Sequence, residues 1–352
     1  MYGDASTTFI SRPSELRILH LLSSRYALGP KIHGTFTNGR LEEYFPSRAL
    51  TATDLRDPET SRSIGKRMAE LHSVDLDVLD PLESGATGRE PTVLQSIKEW
   101  LAPARRMYGR LERLEAEGAL IGLLAGWVQA FDLARLEREI EAYVDWLRQY
   151  ERGQNDGGAG KAWRMVFCRK PVLDAPSARL RTRLTSPFAG RSIPDNDAQY
   201  GNLLLLRTPP PPPAPKHHSI IVVDFEYASP NPYPYDIANH FSEWQADYHH
   251  STRSYSMSEH ASYPSESDRH NFYRAYLETS KGRPARAEEL AELDRGVEVW
   301  RPAGSASWAL WGVISAESQI EALERREADW SPDWEYLVRL LTLLPLKPRP
   351  GG

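Results

Sequence analysis

The sequence has little that would support a secreted, membrane-spanning or zinc-cluster protein. Cys168 is the only cysteine among 352 residues, so no disulfide can form within the chain and no cysteine-rich zinc site exists. No apolar run approaches the roughly 20 residues that a transmembrane helix needs. Residues 1–16 lack the basic-then-apolar order of a signal peptide, and a formal net charge of −5 gives no reason to expect nucleic-acid binding. These absences together predict a cytoplasmic protein.

The remaining composition is that of an ordinary globular protein long enough to form a bilobal enzyme. Local patterns predict α+β architecture, with helices over 13–28, 61–73 and 132–150 and from residue 234 to a last amphipathic segment at 334–344. Strands are predicted for 31–45, as a hairpin around Asn38-Gly39, and for the runs RMVFC, GNLLLL and IIVVDF. The prolines of 209–215 predict a stiff connection between the last two strands.

Three polar residues carry the clearest chemical pattern. Asp197 is followed five residues later by Asn202, and a later strand ends at a second acidic residue, Asp224. Kinases use this arrangement, in which the first Asp accepts the proton of the substrate hydroxyl while the Asn and the second Asp hold magnesium. Carboxylate and amide oxygens are also ligands that suit Mg²⁺. The pattern therefore predicts a phosphotransferase site.

Two pairs of adjacent histidines suggest a different chemistry. His217-His218 and His249-His250 each offer two imidazoles, but neither pair has a third ligand at a regular spacing in the sequence. We therefore expect both pairs to lie on the solvated surface. His240 is expected to pack or to cap a helix.

The run DFEYASPNPYPYDIANHFSEWQADY, from Asp224 to Tyr248, together with NDAQYGN, resembles the choline/ethanolamine kinase family and in particular its fungal choline kinases. Further matches are GPKIHGTFTNGRLEEYFPSRALTATDLRDP, MAELH and SASWALW. The resemblance implies a protein-kinase-like bilobal fold, ATP as co-substrate, Mg²⁺ as cofactor, choline or ethanolamine as substrate, and a role in phosphatidylcholine synthesis. It also raises the expectation of a homodimer.

The resemblance implies a role for individual positions of this chain. Asp197 falls on the catalytic aspartate, Gln199 on a substrate-side glutamine, and Asn202 and Asp224 on the magnesium ligands. The ATP-binding positions are Glu15, which steadies a basic residue, and the hinge residues Glu43 and Phe45. The positions that surround the quaternary ammonium are Tyr227, Glu243, Tyr248, Trp308 and Trp311.

The last assignment has independent physical support. A trimethylammonium group has no N–H to donate, so it is recognised by aromatic faces and nearby negative charge. Trp308 and Trp311 stand three residues apart on a predicted helix and would present two rings on one face. Packing in the core is the alternative for such a pair.

The chain departs from the family pattern in two places. It begins at the Tyr-Gly of the family's small lobe, which predicts a truncated small lobe over residues 1–46 and a large lobe over 47–352. The family's VFCHND is interrupted by Arg169 to Asp195, while 207–218 forms a Pro-rich loop. Codons for Arg169-Lys170 and for Pro194-Asp195 can carry the ends of an intron, and removal of the segment restores the family's His. A translated intron is our hypothesis, and a basic surface loop is its rival.

Three functions remain open from the sequence. The first is an active choline kinase, whose activity these two departures could impair. The second is a catalytically inactive protein that binds choline or a partner. The third is a related phosphotransferase for ethanolamine or an aminoglycoside.

Overall fold

The computed structural model describes residues 12–37, 39–74, 91–120, 128, 131–156, 191–192, 199–225, 228–249 and 262–325. Its helices are α1 (Arg12–Tyr26), α2 (Ala52–Arg56), α3 (Pro58–His72), α4 (Thr92–Ala116), α5 (Leu133–Asp156), α6 (Tyr233–Glu243), α7 (Glu266–Lys281), α8 (Ala287–Ser315) and α9 (Glu317–Glu324). Its strands are β1 (Ile32–Phe36), β2 (Gly39–Glu42), β3 (Ser47–Ala49), β4 (Arg191–Ser192), β5 (Leu203–Leu206), β6 (Ile220–Val222) and β7 (Asn231–Pro232). The predicted α+β class is confirmed.

The chain forms two compact units. The first comprises Met1–Pro91, Gln154–Glu243 and Pro264–Val297, and the second comprises Thr92–Gly153, Trp244–Tyr263 and Glu298–Gly352. The strand RMVFC and the terminal helix at 334–344 lie outside the described residues and stay predictions. The predicted domain boundary at residue 46 also stays a prediction.

The predicted hairpin forms, with its turn one residue earlier than expected. β1 and β2 are antiparallel, and Phe36 pairs with Gly39. Gly39 therefore serves as the first residue of β2 and not as part of the turn. The ring of Phe36 fills the space where a Cβ of residue 39 would lie, so this position requires glycine.

A three-stranded antiparallel sheet in the order β3-β5-β6 carries the two remaining predicted strands. Ser47 pairs with Leu206, and Leu203 pairs with Val222. The proline run between β5 and β6 is not one straight rod, because the N–H of Ala214 donates to the carbonyl of Pro211 at 3.1 Å. Neighbouring antiparallel strands require this reversal of direction.

The core of the first unit includes the contact between α3 and α7. α3 begins at Pro58, and the carboxylate of Asp57 caps it by accepting the N–H of Thr60 at 2.8 Å. The apolar face predicted from the sequence is buried, as the exposed fractions of Ile64 and Leu71 of 0% and 1% show. The predicted helices over 13–28 and 61–73 are confirmed as α1 and α3.

The second unit contains α4, α5 and α9. The predicted helix over 132–150 is confirmed as α5, and its residues Leu136 and Leu147 are 2% exposed. The guanidinium of Arg110 on α4 forms a two-pronged ion pair with Glu324 on α9, with nitrogen–oxygen distances of 2.9 and 2.6 Å. Across the described ranges, no helix combines the length and apolarity that a bilayer crossing requires.

Candidate active site

The two predicted magnesium ligands flank the same end of one strand pair. Asn202 directly precedes β5, and Asp224 follows β6 by two residues. The antiparallel ladder continues one step beyond the pair Leu203–Val222, because the N–H of Val223 donates to the carbonyl of Asn202 at 3.0 Å. Both residues are half-buried. The fold thus brings two residues that the sequence separates by a strand and a loop to the same end of one strand pair.

Asp224 has an unusual backbone conformation. Its φ of 67° lies in the left-handed region, which costs a residue with a Cβ about 1–2 kcal/mol. The neighbours fix this conformation from both sides, since Val223 is bonded to Asn202 and Phe225 is 1% exposed. Strained residues that are over-determined in this way cluster at functional sites.

The ring of Phe225 packs against Gly29. Gly29 has a φ of +73°, and a Cβ on it would lie 2.7 Å from Cε2 of Phe225 and 3.3 Å from Cδ1 of Leu19. Only glycine satisfies both the backbone angle and this close approach. The predicted break of the chain at Gly29-Pro30 therefore also supports the segment that carries Asp224.

Gln199 lies next to the candidate metal ligands. It directly precedes the short 3-10 helix Tyr200–Asn202, and its carbonyl accepts the N–H of Asn202 at 3.1 Å. The side chain of Gln199 is half-buried. The predicted catalytic Asp197 and the predicted pocket residue Tyr227 lie outside the described residues.

The predicted hinge lies between β2 and β3. The N–H of Glu43 donates to the carbonyl of Lys31 at 2.8 Å, and the carbonyl of Phe45 accepts the hydroxyl of Ser47 at 3.0 Å. Among contacts of the described residues, the carbonyl of Glu43 and the N–H of Phe45 have no partner. Glu15 belongs to α1, and its side chain is outside the part that the structure describes.

The predicted aromatic residues lie on or near helices. Trp308 and Trp311 are half-buried on α8, with ring centroids 5.4 Å apart and planes at 80° to each other. The prediction that the helix places these rings side by side is confirmed. Tyr248, like them, is half-buried in the second unit, whereas Glu243 is 5% exposed at the end of α6 in the first unit.

A buried network that the sequence did not predict joins α3, α6 and α7. Nδ1 of His72 lies 2.9 Å from the hydroxyl of Tyr276, and Nε2 lies 2.9 Å from Oδ2 of Asp236. All three side chains are less than 5% exposed. His72 belongs to MAELH and Asp236 to DIANH, so the resemblance marks both segments, but no local pattern indicates that they meet. His240 is fully buried and stacks on Phe272 at 5.5 Å, which confirms its packing role.

The prediction that His217-His218 is solvated surface is wrong for His217, whereas His218 is 38% exposed. Oε1 of Glu70 lies 2.7 Å from Nε2 of His217 and 3.0 Å from Nε2 of His218, and His217 is only 13% exposed. Burial by itself would raise the pKa of Glu70, but the hydrogen bond from His217, the charge of Arg67 and the hydrogen bond from His218 hold that pKa at about 2. Glu70 is therefore an ionised third group that sequence spacing could not reveal.

Comparison with known proteins places this site in a family. Residues 1–162 and 192–330 match the family model of choline/ethanolamine kinase. The chain is 30% identical to choline kinase from Schizosaccharomyces pombe, and the match covers 92% of this chain and 66% of that protein. It is 27% identical to probable choline kinase 3 from Arabidopsis thaliana, over 98% of this chain and 79% of that protein.

A solved structure shows the same fold. Ethanolamine kinase from Plasmodium vivax superposes with a TM-score of 0.61 at 18% identity, over 96% of this chain and 72% of that one. The chain thus spans slightly less than two thirds of the Schizosaccharomyces pombe enzyme and larger shares of the other two. Because the family model matches most of the chain, and matches both strand ends that carry Asn202 and Asp224, the protein belongs to the choline/ethanolamine kinase family.

Proposed function

We propose that the protein phosphorylates choline with ATP. The hydroxyl oxygen of choline forms a bond to the γ-phosphorus, the bond from that phosphorus to the β,γ-bridging oxygen breaks, and the hydroxyl proton passes to a base. The products are phosphocholine and ADP. The observation that carries this proposal is the meeting of Asn202 and Asp224 at one end of the β5–β6 pair in a chain of this family.

Asn202 and Asp224 suit Mg²⁺ by their donor chemistry. An amide oxygen and a carboxylate are hard ligands, and the fixed left-handed backbone of Asp224 sets the direction in which its side chain leaves the chain. A bound Mg²⁺ would neutralise charge on the ATP phosphates. These two residues are therefore the proposed metal ligands.

Asp197 is the proposed base and Gln199 a proposed substrate contact. A carboxylate that accepts the hydroxyl proton is the usual base of kinases. The described geometry supports the placement of Gln199, whose carbonyl is bonded to the N–H of Asn202. Asp197 stands two residues before Gln199, within the same matched part of the chain.

The hinge at residues 43–45 is the proposed adenine site. The N–H of Glu43 and the carbonyl of Phe45 already have partners within the protein. We therefore assign the adenine contacts to the carbonyl of Glu43 as acceptor and the N–H of Phe45 as donor. Glu15 keeps its proposed role in steadying the ATP phosphates through a basic residue.

The proposed recognition of the choline cation uses Trp308 and Trp311, with Tyr227, Glu243 and Tyr248 as further contacts. The rings of the Trp pair are half-buried and nearly perpendicular. A π face over a quaternary ammonium contributes about 0.5–2 kcal/mol.

Residues 169–195 are proposed to be an insertion that the catalytic site does not need. The family match omits 163–191, which includes most of this segment. Within the segment, the structure describes only β4, which pairs with β7. The comparison supports an insertion and leaves both origins, translated intron and genuine loop, as hypotheses.

The function is tested by measuring phosphocholine formation by the purified full chain with ATP and Mg²⁺. We expect turnover that requires Mg²⁺ and that falls at least 100-fold in Asp224→Asn, because that change removes a charged metal ligand. The matched control is Asp145→Asn, at an exposed position of α5, which should leave the rate unchanged. Turnover that is equal in the absence of Mg²⁺ or in Asp224→Asn would contradict the proposal.

The cation site is tested by thermal stabilisation. A ligand that binds only the folded state raises the free energy of unfolding by RT ln(1 + [L]/Kd), so choline should raise Tm in the wild type and much less in Trp308→Ala. Trp146→Ala is the control, because Trp146 is 45% exposed on α5. A Tm shift with ethanolamine but none with choline would assign the site to a primary amine. Choline stabilisation without turnover would indicate an inactive binding protein.

A further inference from the structure

The cluster of Glu70, His217 and His218 stands apart from the proposed kinase chemistry. His217 and His218 lie in the short 3-10 helix Lys216–Ser219 directly before β6, and Glu70 lies in the last turn of α3. One ligand atom from each of the three residues lies within 4.8 Å of the others. Both Nε2 atoms face Oε1 of Glu70, so three candidate ligand atoms lie close together.

The chemistry of these donors favours a particular class of ion. Two imidazole nitrogens and one carboxylate oxygen are ligands of Zn²⁺ and its neighbours in the first transition series, whereas Mg²⁺ prefers an all-oxygen set. We propose that Glu70, His217 and His218 form a binding site for a transition-metal ion of the Zn²⁺ type. The ion would be distinct from the magnesium that Asn202 and Asp224 are proposed to hold.

The geometry requires only small movements. The oxygen–nitrogen distances of 2.7 and 3.0 Å are those of hydrogen bonds, while ligand atoms at about 2.0–2.1 Å from a tetrahedral ion are roughly 3.3 Å apart. The imidazole rings are 4.8 Å apart and nearly perpendicular, at 83°, so both Nε2 atoms can approach one ion without contact between the ring faces. An increase of about 0.3–0.6 Å in the two oxygen–nitrogen distances, together with rotation of the imidazoles toward the ion, makes room for it.

The charges around the site determine its expected affinity for the metal ion. The guanidinium of Arg67, 3% exposed, pairs with Oε2 of Glu70 and leaves Oε1 toward the histidines. Glu70 would therefore bind through one oxygen and His217 and His218 through neutral imidazoles. Because the charge of Arg67 opposes a second cation nearby, we expect a dissociation constant in the micromolar range. His218, at 38% exposed, leaves the fourth position open to water.

A bound ion would join two parts of the first unit. The histidines end the proline-rich loop at the start of β6, and Glu70 belongs to α3. The cross-link would restrict the loop at one end of β6 while Asp224 lies beyond the other end. Zn²⁺ should consequently raise Tm of the protein, independently of any kinase activity.

The test is isothermal titration of the full chain with ZnCl₂ in buffer that contains excess MgCl₂. We expect one Zn²⁺ per chain, with affinity at least tenfold weaker in His217→Ala, His218→Ala and Glu70→Gln. Two controls should bind as the wild type does. His249→Ala disrupts the other histidine pair, and Asp224→Asn alters the proposed magnesium site.

The absorption spectrum of bound Co²⁺ provides a second measurement, which needs no variant. Its visible d–d absorption should show low-coordinate nitrogen ligation in the wild type, and added Zn²⁺ should remove it. Far-UV circular dichroism and Tm without metal establish that each variant is folded. If a variant fails to fold, the Co²⁺ spectrum of the wild type decides the proposal.

The proposal is overturned by any of three results: no Zn²⁺ binding by the wild type, equal binding by all folded variants, or loss of binding in His249→Ala or Asp224→Asn alone. In the first case the cluster is a hydrogen-bonded ion pair and nothing more. None of these results bears on phosphocholine formation, so the two proposals fail separately.

Discussion

At the scale of single residues, the candidate site depends on one strained aspartate and the residue after it. Asp224 keeps its left-handed φ of 67° because Val223 is bonded to Asn202 and Phe225 is buried beside Gly29. The free-energy cost of the conformation is therefore met by packing that lies outside the site. Substitutions at Gly29 should therefore displace the ring of Phe225 and, with it, the backbone of Asp224.

Gly29→Val should destabilise the protein by about 2–4 kcal/mol. The left-handed φ disfavours a β-branched residue, and the new Cβ would lie 2.7 Å from Cε2 of Phe225. Urea unfolding of the variant measures the loss. The matched control is Gly109→Ala in α4, where a Cβ meets nothing within 4 Å and should be neutral or stabilising. Equal stability of Gly29→Val and the wild type would show that Phe225 can move away freely.

At the scale of elements, one acidic residue organises the junction between α7 and α8. The carboxylate of Glu289, 6% exposed, accepts the Nζ of Lys281 at 2.7 Å, Nη1 of Arg283 at 3.0 Å and the backbone N–H of Arg286 at 3.0 Å. The hydrogen bonds from Arg283, Lys281 and Arg286 outweigh burial and hold the pKa of Glu289 well below its usual range.

The lowered pKa of Glu289 determines how the free energy of unfolding changes with pH. A carboxyl with a lower pKa in the folded state than in the unfolded state stabilises the fold above the unfolded pKa, near 4.3, and loses this contribution as pH falls toward the folded value. Glu289→Gln should therefore be less stable than the wild type at pH 7 by about 1–2 kcal/mol, a modest value because Arg283 and Arg286 are 43% and 68% exposed.

The pH dependence is measured by urea unfolding of both proteins at several pH values. The difference in unfolding free energy should be constant above about pH 5 and shrink below it. Glu288→Gln, at the neighbouring exposed position of α8, is the control and should change the unfolding free energy at pH 7 less than Glu289→Gln does. A difference that stays constant from pH 7 to pH 3 would contradict an ionised, paired Glu289.

At the scale of the whole molecule, the proposed insertion of residues 169–195 allows a test of whether the proposed catalytic residues depend on this segment. Replacement of residues 169–195 by a single His should raise kcat, because phosphoryl transfer depends on the positioning of its groups. The stabilisation by choline should remain similar, since the proposed cation site uses other residues. The two proteins are compared for phosphocholine formation and for Tm. Equal kcat would show that the segment is harmless.

Features that are encoded within a short window of residues could be predicted from the amino-acid sequence alone. Hydrophobic periodicity located α1, α3 and α5, and the motif with Asn202 and Asp224 indicated the strand pair whose end holds them. The family was indicated by the resemblance of the run from Asp224 to Tyr248 and of NDAQYGN. These features depend on neighbours in the chain, so no knowledge of the packing is needed to recognise them.

The contacts between distant segments could be identified only from the three-dimensional fold. Glu70 meets His217 across 147 positions and His72 meets Asp236 across 164, and no spacing rule links residues so far apart. Phe225 lies over Gly29 for the same reason. Side-chain periodicity fixes which face of a helix or strand is buried, but the partner of that face depends on how all the elements pack, which is why these contacts required the fold.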